Sequence, residues 1–311
     1  AALPWWVSPR SSGPLRESSG QYYPGRGGLA SVHCALRAAG AGQGRQNLLD
    51  RPAEHLPRTR RAMTITQQDE LDGLKDIGRS VANTMAAMAK AMEPGMSTRD
   101  LDEIGDRLLE QVGAVSAPRA SYGFPGATCI SVNEEIAHGI PGDRRIAAGD
   151  LVNIDVSASK NGYFADTGAT FRLGSVPPEL DRLCRDGKRA MQIGIAQVGH
   201  GKPLAGIGAA IGKFAAARGY TLIRNLASHG VGRALHEYPE EIATWPANGD
   251  KRRISKGLVL TVEPFLSLGG LWATEGKDGW TLYSTPAAPV VQYEHTVVAT
   301  KHGPIIVTLP G

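Results

Sequence analysis

The chain has 311 residues, 41% hydrophobic and 21% charged, a balance that belongs to a globular protein with ample length for a core. No apolar run approaches the roughly 18–20 residues of a membrane span, and Cys34, Cys129 and Cys184 are too scattered for a disulfide framework or a zinc finger. The net charge of +4 conceals two regimes: residues 1–62 hold nine Arg, no Lys and three acids, whereas the remainder carries 25 basic and 27 acidic side chains. DNA binding therefore finds no support in the larger part.

Residues 1–62 are rich in Gly, Pro, Ser and Arg, show no periodicity and are expected to be a disordered leader. An Arg-rich, acid-poor leader fits an organellar transit peptide; translated upstream sequence, with Met63 as the start, is the plainer reading. A single folded domain is expected over residues 63–311. Residues 69–92 predict a helix with Leu71, Leu74, Ile77, Val81 and Met85 on one face. Pro94-Gly95 ends it, and Ser97 with Asp100 forms a capping box for a second helix reaching Val112. Strands follow at 127–132 and 151–158, and Asn161-Gly162 turns the latter into a strand at 163–171. Pro177-Pro178 opens a helix over 180–198, and after Gly201 and Pro203 another runs to Gly219.

The two stretches resemble each other. Arg144-Arg145-Ile146, Gly149, Leu151, Val152, Ile154 and Asp155 align without a gap on Arg252-Arg253-Ile254, Gly257, Val259, Leu260, Val262 and Glu263. The helix before Gly113 matches the one before Gly219, and the His138-Gly139 turn echoes His229-Gly230. Such internal similarity predicts an α/β domain of two pseudo-two-fold halves, each delivering a strand that ends in a carboxylate and a His-Gly turn, with a site at the junction.

Five residues stand out in apolar strand contexts: Asp155, Asp166, His229, Glu263 and Glu294. Taken singly, each acid is an ordinary strand-end or turn residue and His229 a loop histidine. Together, four carboxylates in a folded interior repel one another and lose hydration, so they require protons or cations. No Lys or Arg cluster accompanies these segments, which leaves divalent metal as the natural counter-charge, and four carboxylates suit two ions sharing oxygens.

The segments C-I-S-V-N-E-E-I-A-H-G-I-P (129–141), V-N-I-D-V (152–156), A-D-T-G (165–168), H-G-V-G-R-A-L-H-E (229–237), T-V-E-P (261–264), K-D-G-W (277–280) and Q-Y-E-H-T (292–296) are similar to those of the methionine aminopeptidases. The resemblance runs from about residue 65 to 309. It implies the pita-bread fold and, from the short spacing between His229 and Glu263, the bacterial or organellar type I branch. It also implies a hydrolase that removes the initiator methionine from nascent proteins with a small second residue, by attack of metal-activated hydroxide on the first peptide carbonyl. By matching motif, Asp155 would chelate one metal, His229 and Glu263 the other, and Asp166 and Glu294 would bridge them. Glu263 would also relay a proton, His138 and His236 would contact substrate, and Phe124, Cys129 and Trp280 would line the methionine pocket.

For these last residues plainer readings stand alongside. His138 and His236 also read as loop histidines, Trp280 as cover for a hydrophobic edge, and Cys129 as a buried thiol. The sequence departs from the family at Leu235, where Phe is frequent, at Ser121, where an aromatic is common, and at Leu226 and Ser228 before the ligand histidine. The donor set leans toward Mn, Fe or Co over Zn. A monomer in the cytoplasm, or in an organellar matrix if the leader is a transit peptide, is expected, with no membrane partner. The ribosome is a candidate partner through the Arg-rich leader. An Xaa-Pro peptidase with the same fold is the competing enzyme, although such relatives carry a sizeable folded N-terminal domain. A non-catalytic binding module is the competing class.

Overall fold

Apolar residues three and four apart build the first helix, α1 (Gln68–Ala91), which buries Leu74, Ile77, Val81 and Met88 and leaves Leu71 and Met85 half-buried. The structure is a computed structural model that describes residues 63–311; the expected disorder of 1–62 lies outside the described residues. Helix α2 (Thr98–Gln111) starts at the expected capping box: Ser97 Oγ accepts the Asp100 N–H and the Asp100 carboxylate accepts the Ser97 N–H, each at 3.1 Å. A short helix, α3 (Ala117–Tyr122), was not expected and ends at Gly123, whose φ is 72°. Helices α4 (Pro178–Ile195) and α5 (Gly206–Arg218) begin the second half.

The strand Leu151–Lys160 turns at Asn161-Gly162, both at positive φ, into Tyr163–Arg172, and the two pair antiparallel along their whole length. On its other side Leu151–Lys160 pairs with Cys129–Val132 and Val115–Ser116. The second half holds a five-stranded antiparallel sheet in the order Gly303–Ile306, His295–Thr300, Val259–Val262, Ser228–Gly230, Glu237–Ile242.

The duplication is written in equivalent hydrogen bonds. Arg145 donates to the Gly95 carbonyl at 2.6 Å and Arg253 to the Gly201 carbonyl at 2.7 Å. The Gly95 and Gly201 N–H groups donate to Ile146 and Ile254 at 2.8 Å, and the Thr98 and Leu204 N–H groups to Arg144 and Arg252 at 2.9 Å. Gly113 and Gly219 both end their helices at positive φ. One element of the echo fails. His138, at φ 53°, lies in irregular chain just past Glu135–Ala137, whereas His229 lies inside a strand because Glu237–Ile242 and Val259–Val262 pair on either side of it.

Each half has its own core. Leu74, Ile77, Val81, Leu101, Ile154 and Val156 pack in the first, and Leu183, Ile207, Ile211, Leu260 and Val262 in the second. Truncating one such side chain to Ala costs about 2–5 kcal/mol. The halves meet where Tyr163–Arg172 runs beside residues 292–296. Thr296 Oγ1 accepts the Asp166 N–H and donates to the Asp166 carbonyl, Thr167 donates to the Glu294 carbonyl, and the Glu294 N–H donates to Gly168.

Candidate metal centre

Strand registry brings the acids together. Asp155 lies opposite Gly168 and Asp166 opposite Ser157, so the two aspartates share one face as a diagonal pair. In the second half Val262 pairs with His295, which sets Glu263, just past one strand, beside Glu294, just before the other. His229 enters from the adjoining strand. Gly168 packs closely here, since a Cβ at that position would lie 2.5 Å from the Gln292 amide oxygen and force that side chain to shift. Gly230 is equally tight, with the Tyr238 carbonyl oxygen 2.5 Å from where a Cβ would stand.

Asp166, His229 and Glu294 are 6%, 5% and 2% exposed and offer ligand atoms that all lie within 4.8 Å of one another. His229 Nδ1 lies 3.0 Å from its neighbour's carbonyl at Gly230; since a carbonyl only accepts, Nδ1 carries the proton and Nε2 presents its lone pair. Nε2 is 3.5 Å from Glu263 Oε1 and 3.9 Å from Asp166 Oδ2. Burial lowers the His229 pKa to about 4, the Gly230 hydrogen bond opposing it, so the imidazole is neutral and these distances are not ion pairs.

The carboxylates pay for their seclusion. Burial raises Asp155 well above the usual carboxylate range, and the charges of Asp166 and Glu263 push it further. Asp166 rises to about 6 through burial, against hydrogen bonds from Asp155 and the Thr167 N–H. Burial raises Glu263 despite a hydrogen bond from Thr261, and raises Glu294 with the charges of Asp166, Glu263 and Asp155 adding to it. Among the described residues no Lys or Arg forms an ion pair with any of the four. Asp166 Oδ1 and Glu294 Oε1 are buried without a hydrogen-bond partner. Orphaned anionic oxygens around a bare imidazole nitrogen fit hard-to-borderline divalent cations.

Supporting contacts hold the ligands in place, a recurrent need of metal sites. Asn153 donates to the Gln292 side-chain carbonyl and Gln292 donates to Glu294, both at 2.9 Å. Thr261 accepts the His229 N–H and donates to Glu263 at 2.7 Å, while Ser228 Oγ accepts the Glu263 N–H at 2.9 Å. Ser228, which departs from the family pattern, thus holds the backbone of a candidate ligand. Sequence reasoning passed over Asn153, Thr261 and Gln292, although all three lie inside the quoted motifs.

The remaining expected site residues fall in two places. The His236 ring lies 4.0 Å from the His229 ring between centroids. His138 is held neutral by burial, its pKa lowered to about 4, and a proton on it would disfavour one on His229. Phe124, 2% exposed, meets Trp280 edge-on at 5.0 Å between centroids, and Cys129 pairs across the sheet with Asp155. Asp278 fixes the Trp280 turn by accepting the N–H groups of Trp280 and Thr281 at 2.9 Å. Leu235 is buried and Ser121 exposed.

Comparison with known proteins gives this geometry a lineage. The sequence pattern of metallopeptidase family M24 matches residues 72–301. A methionine aminopeptidase of Bacillus subtilis is 47% identical over 247 residues, spanning 79% of this chain and 99% of the relative. The crystal structure of methionine aminopeptidase from Rickettsia prowazekii superposes with a TM-score of 0.76 at 32% identity, covering 79% of this chain and 100% of that one. A prolidase from Pyrococcus furiosus reaches a TM-score of 0.62 at 21% identity over 80% of this chain and 66% of its own, a likeness of fold alone. The duplicated halves are those of the pita-bread fold, and the chain belongs to metallopeptidase family M24, among its methionine aminopeptidases.

Proposed function

We propose that the chain removes the initiator methionine from nascent proteins with a small second residue, using two divalent cations held by Asp155, Asp166, His229, Glu263 and Glu294. The observation that carries the two-cation reading is the pair of partnerless buried oxygens on Asp166 and Glu294, which face a neutral imidazole and no basic side chain. Asp155 would hold one cation, His229 and Glu263 the other, and Asp166 and Glu294 would serve both. Mn²⁺, Fe²⁺ and Co²⁺ suit the oxygen-rich set, and Zn²⁺ is compatible with it. Bound metal supplies the Lewis acidity that brings the pKa of water near neutrality and polarises a carbonyl.

The protein's own groups do the rest. Glu263, oriented by Thr261 and Ser228, takes a proton from the attacking water and passes it to the leaving amine. His236 donates to the oxygen of the scissile carbonyl as charge develops on it. His138, kept neutral, orients the peptide group beyond the scissile bond. Phe124, Trp280 and Cys129 receive the methionine side chain, whose polarizable sulfur suits aromatic edges. No helix among the described residues is long and apolar enough to cross a membrane, and Cys129 and Cys184 are free thiols, as a reducing compartment would keep them.

Hydrolysis of Met-Ala-Ser tests the reading. Methionine release should need Mn²⁺ or Co²⁺, stop with chelator and be lost in Asp166→Ala. Absence of release under every metal, with cleavage of Xaa-Pro peptides in its place, would sink it.

A further inference from the structure

Tyr122, at the last position of α3, reaches across 114 positions of sequence and places its hydroxyl 2.5 Å from Nδ1 of His236. Neither end of that contact is loose. Helix α3 is only six residues long and is tied down: Ser116 Oγ accepts the Arg119 N–H and donates to the Ala127 carbonyl, and Arg119 pairs with Asp106 of α2 at 2.9 Å. Asp102 of α2 accepts the N–H groups of Ala127 and Thr128 and the Thr128 hydroxyl. On the other side Glu237, next to His236 and 2% exposed, accepts the Met63 N–H at 2.8 Å and hydrogen bonds from the backbone of Arg233 and Ala234. The two rings, with centroids 5.6 Å apart, are therefore held by separate parts of the fold.

The sense of the hydrogen bond follows from the partners. A phenol O–H, with a pKa of about 10, is a far stronger acid than the N–H of a neutral imidazole. An imidazole nitrogen lone pair is in turn a better acceptor than a phenolic oxygen. The arrangement Tyr–O–H to Nδ1 is thus favoured over its reverse. Which ring nitrogen of a histidine carries the proton is set by the bond the other one makes. His229 shows the opposite device in the same centre: its Nδ1 faces the Gly230 carbonyl, so its bare nitrogen is Nε2. One carbonyl and one phenol would give two adjacent imidazoles opposite tautomers, one suited to accept a cation and the other to donate to an oxygen.

We infer that Tyr122 is a positioning residue that donates to Nδ1 of His236 and so fixes the tautomer whose Nε2–H faces the oxygen of the scissile carbonyl. The inference rests on the proposed oxyanion role of His236 and adds what orients it. Removing the phenol oxygen takes this donor away from Nδ1 and with it this constraint on the tautomer. It does not remove the imidazole itself.

Two measurements on the full chain test this with Tyr122→Phe, which keeps the aromatic ring. Nitrogen-15 NMR of the metal-free, histidine-labelled protein reads the tautomer directly: the wild type should show His236 with unprotonated Nδ1 and protonated Nε2, and the variant a mixture. Kinetics on Met-Ala-Ser should show kcat lowered about fivefold or more, the worth of one hydrogen bond, with KM within about twofold. A protonated Nδ1 in the wild type, or an unchanged kcat in the variant, would overturn the inference. His236→Ala, assayed in parallel, locates the failure. If it too keeps kcat, the oxyanion role of His236 falls; if it loses kcat where Tyr122→Phe does not, only the Tyr122 tether falls.

Discussion

Replacing Asp166 by Asn should make the metal-free protein more stable and its metal complex useless, a combination that a structural carboxylate would not produce. The Asp166 side chain is almost wholly buried, and its pKa rises from 3.8 to about 6 in the fold. A rise of about two units at 1.36 kcal/mol each means that ionising Asp166 opposes folding by about 3 kcal/mol at neutral pH. The sign is that of an acid with a raised pKa. The folded state binds the extra proton, so stability is full below the unfolded value near 4, falls as pH climbs through about 6, and stays reduced above it. Asn carries no such penalty, and the backbone remains anchored by Thr296 on both its N–H and its carbonyl. At about 2–4 °C per kcal/mol for a domain of this size, the variant in chelator at pH 8 should melt roughly 6–12 °C above the wild type. The two should converge near pH 4. Adding Mn²⁺ at about 100 times its dissociation constant should raise the wild type by about 2.7 kcal/mol and the variant by far less. Differential scanning calorimetry across pH, with chelator and with metal, reads all of this. If the variant melts at or below the wild type in chelator at pH 8, or keeps the full metal-induced rise, the account of the cluster as a charge site awaiting cations is wrong.

Three further outcomes follow from the surrounding contacts. Gly168→Ala puts a methyl group 2.5 Å from the Gln292 amide oxygen and displaces the donor to Glu294, so metal affinity by isothermal titration should fall about 10- to 100-fold. Asp102→Asn keeps the shape but leaves one of its buried donors facing an amide group, which should cost about 1–3 kcal/mol in urea unfolding. Because the freed loop carries Phe124 and leads into Cys129, KM for methionyl peptides should rise as well; an unchanged KM would separate the loop from the pocket. Asp186, 5% exposed, is pushed upward by burial but held below the usual carboxylate range by Arg218 and Tyr220. Its contribution is present above pH 4 and disappears as pH falls through the folded value. Asp186→Asn should therefore lose about 1–2 kcal/mol at pH 7, discounted for the half-exposed Arg218, and the difference should shrink as pH falls through the folded value.

Much of this was legible because the signals were local. The capping box at Ser97, the Asn161-Gly162 turn and the apolar stripe of α1 each state their structure within a few residues. The duplication was legible because Arg145 and Arg253 repeat one clasp with the same spacing. The acids stood out because ionisable groups are expensive in apolar strands. What escaped was long-range. Helix α3, six residues long, has little intrinsic stability and is held by Asp106 and the Ala127 carbonyl. The strand Glu135–Ala137 finds its partner at Leu282–Thr285, which no local pattern announces. Nothing in the segment at Tyr122 points to a histidine 114 positions away, and the strand around His229 exists only because its neighbours pair with it.

The seam between the halves has a consequence for vectorial synthesis. Asp155 and Asp166 leave the ribosome long before Glu263 and Glu294, and domains begin to fold from the N-terminal side. The early sheet can form with its two aspartates still in water, where ionisation is free of charge burial. The penalty arrives when residues 292–296 dock beside Tyr163–Arg172 and shut the acids away. Closure of the seam then opposes itself electrostatically, and divalent cation bound at the cluster would offset that opposition.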